Sequence, residues 1–257
     1  MTHGIVNVSA LPLRKEPSHR SEMVSQLLFG ETYEVKEKKA KEWLRIVCNY
    51  DGYEGWLNES SFHSINEKEY QQQQAASKAV SLDIVSAAMS DTNNIPILCG
   101  STLPLYDGMS FKLHKEKFIF NGAAMQQEQP NASMVEKIAL KYLNAPYLWG
   151  GRSPFGIDCS GFTQVVFKCL FTALKRDAYQ QAEQGIVVNF IEEALPGDLA
   201  FFANEEENIT HVGIVLKDRQ IVHASGKVRI DKLDHFGIFN VDKKKYSHRL
   251  KILKRLL

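Results

Sequence analysis

Apolar and polar positions alternate through the first sixty residues. "GIVNVSALPLR", "SEMVSQLLFGETYEVKEK" and "EWLRIVCNYDGYEGWLN" carry apolar runs of strand length, separated by turn residues such as the cluster at 17–21. Short runs bounded by Pro, Gly, Asn and Asp predict strands, and several in succession predict a small all-β barrel. "SINEKEYQQQQAASKA" (64–79) then breaks the pattern. It is polar and lacks Gly and Pro, which predicts a solvent-facing connector, helical or irregular. Strand-like runs return at "AVSLDIVSAAM", "NIPILCG", "STLPLYDG", "MSFKL" and "EKFIFNG", and predict a second small β module ending near Gly122.

From about Pro130 the pattern becomes α+β. Ser133 and Glu136 form an S-x-x-E capping box. The box opens an amphipathic helix with Met134, Val135, Ile138, Tyr142 and Leu143 at its apolar positions. A loop leads to a second helix starting near Cys159, on which Phe162, Val165, Val166, Cys169 and Leu170 share one face. After Gly185 the runs "GDLAFFA", "HVGIVLKD", "QIVHASG", "KVRI" and "RLKILKRL" read as strands. The expected division is 1–63, 64–129 and 130–257. A cysteine at a helix start, followed by an antiparallel sheet bearing histidines, is the layout of a papain-like cysteine hydrolase.

Composition narrows the function classes. A formal net charge of +1 gives no bulk field towards nucleic acid or anionic lipid, so neither is an expected partner. The basic run at 243–245 and the cations after it read as a solvated strand face. The first residues lack a basic segment followed by an apolar stretch, and no window approaches a membrane span. Cys48, Cys99, Cys159 and Cys169 are scattered without CxxC spacing, which suits free thiols in a reducing compartment. Together these features predict a cytoplasmic protein.

The stretch "GIDCSG" (156–161) raises the question of chemistry. At a helix start, orphan N–H groups and the helix dipole favour an anion, and this placement predicts a lowered thiol pKa at Cys159. Gly156 and Gly161 would leave room for a substrate carbonyl, and the Cys159 N–H could stabilise an oxyanion. His211 opens "HVGIVL" and His223 lies in "IVHASG". The intervening "LKDRQ" allows a hairpin that sets the two imidazoles side by side. His211 is then the base for Cys159, and His223 orients it. A neutral histidine can accept a hydrogen bond in that third role. Zinc held by Cys159, His211 and His223 lacks a fourth ligand and short ligand spacing, so no metal and no cofactor are expected.

"YLWGGRSPFGIDCSGF", "HVGIVL" and "IVHASG" together resemble the NlpC/P60 family of cysteine peptidases, over about residues 130–257. The resemblance implies Cys159 as nucleophile, His211 as base and His223 as the third polar residue. "LPLRKEP" and "YEGWL" resemble the ends of a bacterial SH3 (SH3b) domain, and the second β module resembles one more weakly. The expected architecture is therefore a papain-like NlpC/P60 domain preceded by two small all-β SH3-like barrels. Two SH3b modules before NlpC/P60 resemble the γ-D-glutamyl-L-diamino acid endopeptidases. That group implies cleavage of murein stem peptides with a free N-terminal L-Ala, after γ-linked D-Glu, in cell-wall peptide recycling. By position it also implies that Tyr147 lines the pocket. Asp158 would face the substrate ammonium, Ser160 would bond the substrate, and Glu16 and Tyr53 of the first SH3b domain would contact the amine. Arg176 is a candidate partner for the D-Glu carboxylate. The competing expectations are an SH3b-anchored hydrolase acting on intact peptidoglycan, and an acyltransferase using the same thioester chemistry.

Overall fold

The strand runs of the first half fold as strands because each places its apolar residues on one side. Ala10–Arg14, for example, buries Leu11 and Leu13 and exposes Pro12 between them. The structure is a computed structural model that describes residues 2–39, 42–76, 78–126 and 133–257. It divides into two units: Met1–Glu128 with Trp149–Pro154, and Gln129–Leu148 with Phe155–Leu257. Each is described by itself.

In the first unit, seven strands make one antiparallel sheet. They are β1 (Thr2–Ile5), β2 (Ala10–Arg14), β3 (Met23–Leu28), β4 (Thr32–Lys39), β5 (Trp43–Cys48), β6 (Glu54–Asn58) and β7 (Ser64–Ile65), in the order β3-β2-β6-β5-β4-β1-β7. Leu11, Leu13, Leu27, Tyr33, Leu44, Ile46 and Leu57 fill its core. The polar connector forms helix α1 (Glu67–Ala75), which buries none of its residues. Asn66 caps it and Glu69 completes a capping box.

The second β stretch comprises β8 (Ala79–Ser81), β9 (Val85–Met89), β10 (Asn94–Leu98), β11 (Ser110–Leu113), β12 (Glu116–Phe120) and β13 (Ala124–Gln126). Four of these form the sheet β10-β9-β12-β11, and β8 pairs with β13. The expected strand at "STLPLYDG" is instead a set of turns. Pro104 cannot donate to a ladder, and the Asp107 carboxylate accepts from the N–H groups of Met109 and Ser110 at 3.0 and 2.7 Å. The two stretches share a core: Ile5, Phe29 and Ile65 pack with Ala88, Ile97, Phe111 and Phe118. Among the described residues, the strand pairings close neither stretch into a barrel.

Closure occurs in the second unit, after the helices. The remaining elements are α2 (Ser133–Leu140), β14 (Arg152–Ser153), β15 (Gly156–Ile157), α3 (Cys159–Lys168), α4 (Ala178–Gln181), β16 (Ile186–Val188), β17 (Leu199–Ala203), β18 (Ile209–Val215), β19 (Gln220–Ser225), β20 (Lys227–Leu233), β21 (Gly237–Asn240) and β22 (Lys245–Arg255). The eleven-residue β22 pairs with β17 along one part and β21 along another. The predicted antiparallel sheet is therefore a closed ring of six strands, β17 to β22, with β16 added outside on β22. Ala200, Phe202, Val215, Ile221, Leu233, Ile238 and Leu253 make one core cluster across these strands. Helix α2 has Ser133 already helical, so the expected capping box depends on a preceding position outside the described residues. Tyr142 and Leu143 fall beyond its end; Tyr142 is buried and Leu143 exposed. No helix among the described residues is long and apolar enough to cross a membrane.

Candidate active site

Helix α3 begins at Cys159 because Asp158 stops the preceding chain in an extended conformation and caps the first turn. Its carboxylate accepts from the Gly161 N–H at 2.7 Å. All ten residues of α3 are buried, including Thr163, Gln164 and Lys168 as well as the expected apolar face. Two side chains from the segment that follows brace this turn. Arg176, 1% exposed, donates to Asp158 at 2.6 and 3.1 Å and to the Ser160 hydroxyl at 2.9 Å. Gln181 donates to the Ser160 carbonyl at 3.0 Å and accepts from Thr163 at 2.7 Å. Asp158 and Ser160 therefore stand on either side of Cys159 with Arg176 as a common partner.

The expected hairpin is present. Strands β18 and β19 pair with Gly213 opposite His223, and Asp218 and Arg219 both adopt positive φ in the tight turn between them. Because Gly213 has no side chain, His223 fits opposite it, where a Cβ would stand 2.9 Å from the His223 Cβ. His211 Nε2 and His223 Nδ1 lie 2.9 Å apart, both rings buried. The chain continues: His223 Nε2 lies 3.1 Å from Asp231 Oδ2 on β20. Arg229 donates to the same carboxylate at 2.7 and 2.9 Å, and the Val241 N–H does so at 3.0 Å.

This network fixes the tautomers. Burial alone would raise the Asp231 carboxyl, but the hydrogen bonds from His223, Arg229 and Val241 outweigh it and carry the group well below the usual carboxylate range. An ionised carboxylate only accepts, so His223 carries its proton on Nε2 and offers Nδ1 as an acceptor. His211 must then donate from Nε2, which leaves its Nδ1 lone pair available as a base. Asp231 was not among the expected site residues. The only signal for it in the sequence is an acid one strand beyond two strand histidines, and the register of that strand pair is not specified by its residue types.

Cys159 is joined to this relay through the main chain of β18. The N–H groups of Val212, next to His211, and of Ser160 point at the sulfur. They act to lower the thiol, as the helix-start argument predicts, but burial outweighs them. Burial, assisted by Asp158, pushes Cys159 up to about 12 against those N–H groups and Arg176. Burial, with His248 and His223, also holds His211 well below the usual imidazole range. At rest the Cys159 thiol and the His211 imidazole are both neutral. Tyr147 belongs to the same site: burial, then the nearby Cys159 and Asp158, push its phenol up to about 12, so it is a hydroxyl donor at neutral pH.

Gly156 has a different role from the one expected. A Cβ there would lie 2.6 Å from Leu148 Cδ2, so its small size serves packing against Leu148. Six residues of the long motif, Trp149–Pro154, belong to the first unit. Trp149 donates from Nε1 to Glu22 at 2.7 Å. Gly150 (φ +76°) passes so close to the Met23 carbonyl that a Cβ would stand 2.2 Å from its oxygen. Arg152 makes a buried two-pronged ion pair with Glu31, both contacts 2.9 Å. Glu16 and Tyr53 are also in this unit. Glu16 is exposed at the turn after β2, while Tyr53 is partly buried against the first sheet's core.

A metal set is nearest to hand at His211, His223 and His248, whose ring nitrogens lie within 4.8 Å of one another. The rings of His211 and His248 are stacked, however, with centroids 4.1 Å apart and planes 21° from parallel. A nitrogen lone pair lies in its ring plane, so two stacked rings direct theirs side by side and do not converge on one ion.

Residues 144–246 match the NlpC/P60 family, and residues 13–62 match the bacterial dipeptidyl-peptidase SH3 domain. The chain is 30% identical over 216 residues to the gamma-D-glutamyl-L-lysine dipeptidyl-peptidase of Bacillus subtilis, covering 78% of this chain and 71% of that one. It is 25% identical over 230 residues to the protein of the same name from Bacillus cereus, covering 80% and 68%. An NlpC/P60 family protein from Bacillus cereus superposes with a TM-score of 0.83 at 20% identity, over 99% of both chains. The fold is thus shared with a solved NlpC/P60 protein, and the cysteine and both histidines lie within the matched region. The chain belongs to the NlpC/P60 family and carries a bacterial SH3 domain ahead of its NlpC/P60 domain.

Proposed function

We propose that the protein is a cysteine endopeptidase that cleaves the γ-D-Glu–diamino acid bond of murein stem peptides with a free N-terminal L-Ala, in cytoplasmic recycling of cell-wall peptides. The observations that carry the reading are the relay from Asp231 through His223 to His211, and a cysteine at a helix start whose sulfur receives the N–H of Val212, the residue after His211. The names of the relatives support the bond class, and four buried cysteines outside any disulfide suit a reducing compartment. The second β stretch is read as a further SH3-like module.

In this reading the Cys159 sulfur attacks the γ-carbonyl of D-Glu while its proton passes to His211 Nδ1. A neutral pair needs no standing thiolate; the charges appear together as the tetrahedral intermediate forms. The Cys159 N–H stabilises the oxyanion. His211 then gives its proton to the departing amine of the diamino acid, leaving a thioester on Cys159. Water, deprotonated by His211, hydrolyses the thioester; L-Ala-γ-D-Glu leaves and the thiol is restored. Tyr147 supplies a phenol donor at the pocket wall. Asp158, which already shares its charge with Arg176, is the carboxylate that faces the substrate ammonium in this reading.

Mass spectrometry of digests tests the reading. L-Ala-γ-D-Glu-diamino acid peptides should release L-Ala-γ-D-Glu when the N-terminus is free and resist when it is acetylated. Equal cleavage of both, or preferential release from intact peptidoglycan, would favour a wall-anchored hydrolase instead.

A further inference from the structure

His248 is a half-buried histidine that the relay does not use. It lies on β22, the strand that closes the barrel, and pairs across to Ile238 of β21. Its ring stacks on His211 at 4.1 Å, and its Nδ1 lies 2.8 Å from the Ser247 hydroxyl, which fixes the ring's rotation. Phe202 on β17 approaches His211 at 5.8 Å with planes 45° apart, and it meets His248 edge-on at 6.0 Å. The base is thus held by an aromatic clamp built from two strands adjacent in the ring. Both clamp rings, His248 and Phe202, line a cleft of about 750 Å³ with Phe236, Tyr246, Thr210 and Arg249, and His211 is not part of that lining. His248 therefore separates His211 from solvent in that cleft.

We infer that His248 is a positioning residue for the base of the proposed peptidase: its stacked ring holds His211 in the orientation that points Nε2 at His223 and leaves Nδ1 for Cys159, and shields that ring from the cleft. The inference rests on the peptidase reading for its kinetic consequence only. A hydrogen bond between two imidazoles fixes one direction in the ring plane but leaves rotation about that line open. A parallel ring face removes that freedom, because tilting His211 would drive it into His248. The burial of His248 also holds its own protonation low, to about 4, so at neutral pH it presents an uncharged face. A neutral face can lie against His211 in both of its protonation states. Stacking, rather than acid–base chemistry, is the property required, and phenylalanine should supply it.

The test compares His248→Ala, His248→Gln and His248→Phe with the parent. Two quantities are read: the pH profile of L-Ala-γ-D-Glu release, and the tautomer of His211 from long-range proton–nitrogen spectra of the histidine rings. His248→Ala and His248→Gln should each slow release on the order of tenfold to a hundredfold, the scale of a misplaced reacting group. Opening His211 to the cleft makes it more basic, so the acid limb of the profile should move to higher pH by about one unit. The spectra should change from one Nε2-protonated form to a mixture. His248→Phe should restore the parental limb and the single tautomer. A parental profile and tautomer in both ring-less variants would overturn the inference, as would His248→Phe behaving like His248→Ala. If no protein releases the dipeptide, the parent included, but the tautomer still changes and is rescued by phenylalanine, the stack stands and the peptidase reading falls.

Discussion

Gly213 faces His223 directly across the β18–β19 hairpin, and a Cβ at position 213 would stand 2.9 Å from the Cβ of His223. Ile221 crowds the same point at 2.7 Å. The second residue after the base is therefore glycine so that the orienting histidine can reach the base. Gly213→Ala should displace His223, break the 2.9 Å imidazole contact and remove most peptidase activity. The overpacking should cost about 1–3 kcal/mol of stability. Denaturant melts alongside dipeptide-release assays check this; parental turnover in Gly213→Ala would show that the imidazole contact is dispensable.

Asp231 sets the tautomers of both histidines. Asp231→Asn can present an N–H where a carboxylate accepted, so His223 would no longer be held with its proton on Nε2. By analogy with triads that lose their carboxylate, turnover should fall on the order of 10²–10⁴-fold. The same residue gives a stability signature. Its folded pKa is depressed, so the unfolded chain binds the proton more readily. The stabilisation is fully present above the unfolded carboxyl's pKa of ~3.9 and is lost as pH falls further towards the folded value. Unfolding free energy measured from pH 6 down to about pH 2 should decline less steeply in Asp231→Asn than in the parent. Parallel curves would deny Asp231 that share.

The neutral resting pair makes its own prediction. Cys159 is pushed up to about 12 and His211 is held low. Alkylation of Cys159 by iodoacetamide, followed by peptide mapping, should climb with pH throughout the neutral range. A rate plateau reaching down to mildly acidic pH would mean a standing thiolate–imidazolium pair. In that case the helix start would outweigh burial after all.

Glu31 and Arg152 test the first unit. Both are almost fully buried and joined by two 2.9 Å contacts, and Glu31 also accepts from the Leu28 N–H. Glu31→Gln would leave a buried guanidinium without its anion and should cost about 3–5 kcal/mol. Replacing both together, Glu31→Leu with Arg152→Met, should recover much of that loss because no charge is then stranded. A single substitution as mild as the double one, judged by thermal melts, would contradict a tightly coupled pair.

Much of this was legible in the chain. Cys159, His211 and His223 stood out because a reactive thiol needs glycine and polar neighbours and a nearby base, and both signals are local. The hairpin joining the histidines was readable from its short, polar turn. What stayed hidden depends on register and closure. Asp231, 8 residues beyond His223, sits on the adjacent strand β20 at a register the residue types do not specify, and His248, 25 residues beyond it, is brought in only by closure of the ring. Arg176, a candidate outside the expected site residues, braces Asp158 and Ser160; nothing local distinguishes an arginine that binds substrate from one that binds a helix cap. The motif's Trp149, Gly150 and Arg152 read as part of the catalytic half, but they pack on β3 and its neighbours. The thiol was expected to be acidic because dipole and N–H donors can be inferred from sequence, whereas the depth of burial that overrides them cannot.

Release of L-Ala-γ-D-Glu by Cys159→Ala, set against the parent on the same free tripeptide, tests the central claim most directly. No release above the uncatalysed background, from a variant that melts like the parent, is the predicted result. Release at the parental rate would remove the sulfur at 159 from the chemistry and with it the proposed activity.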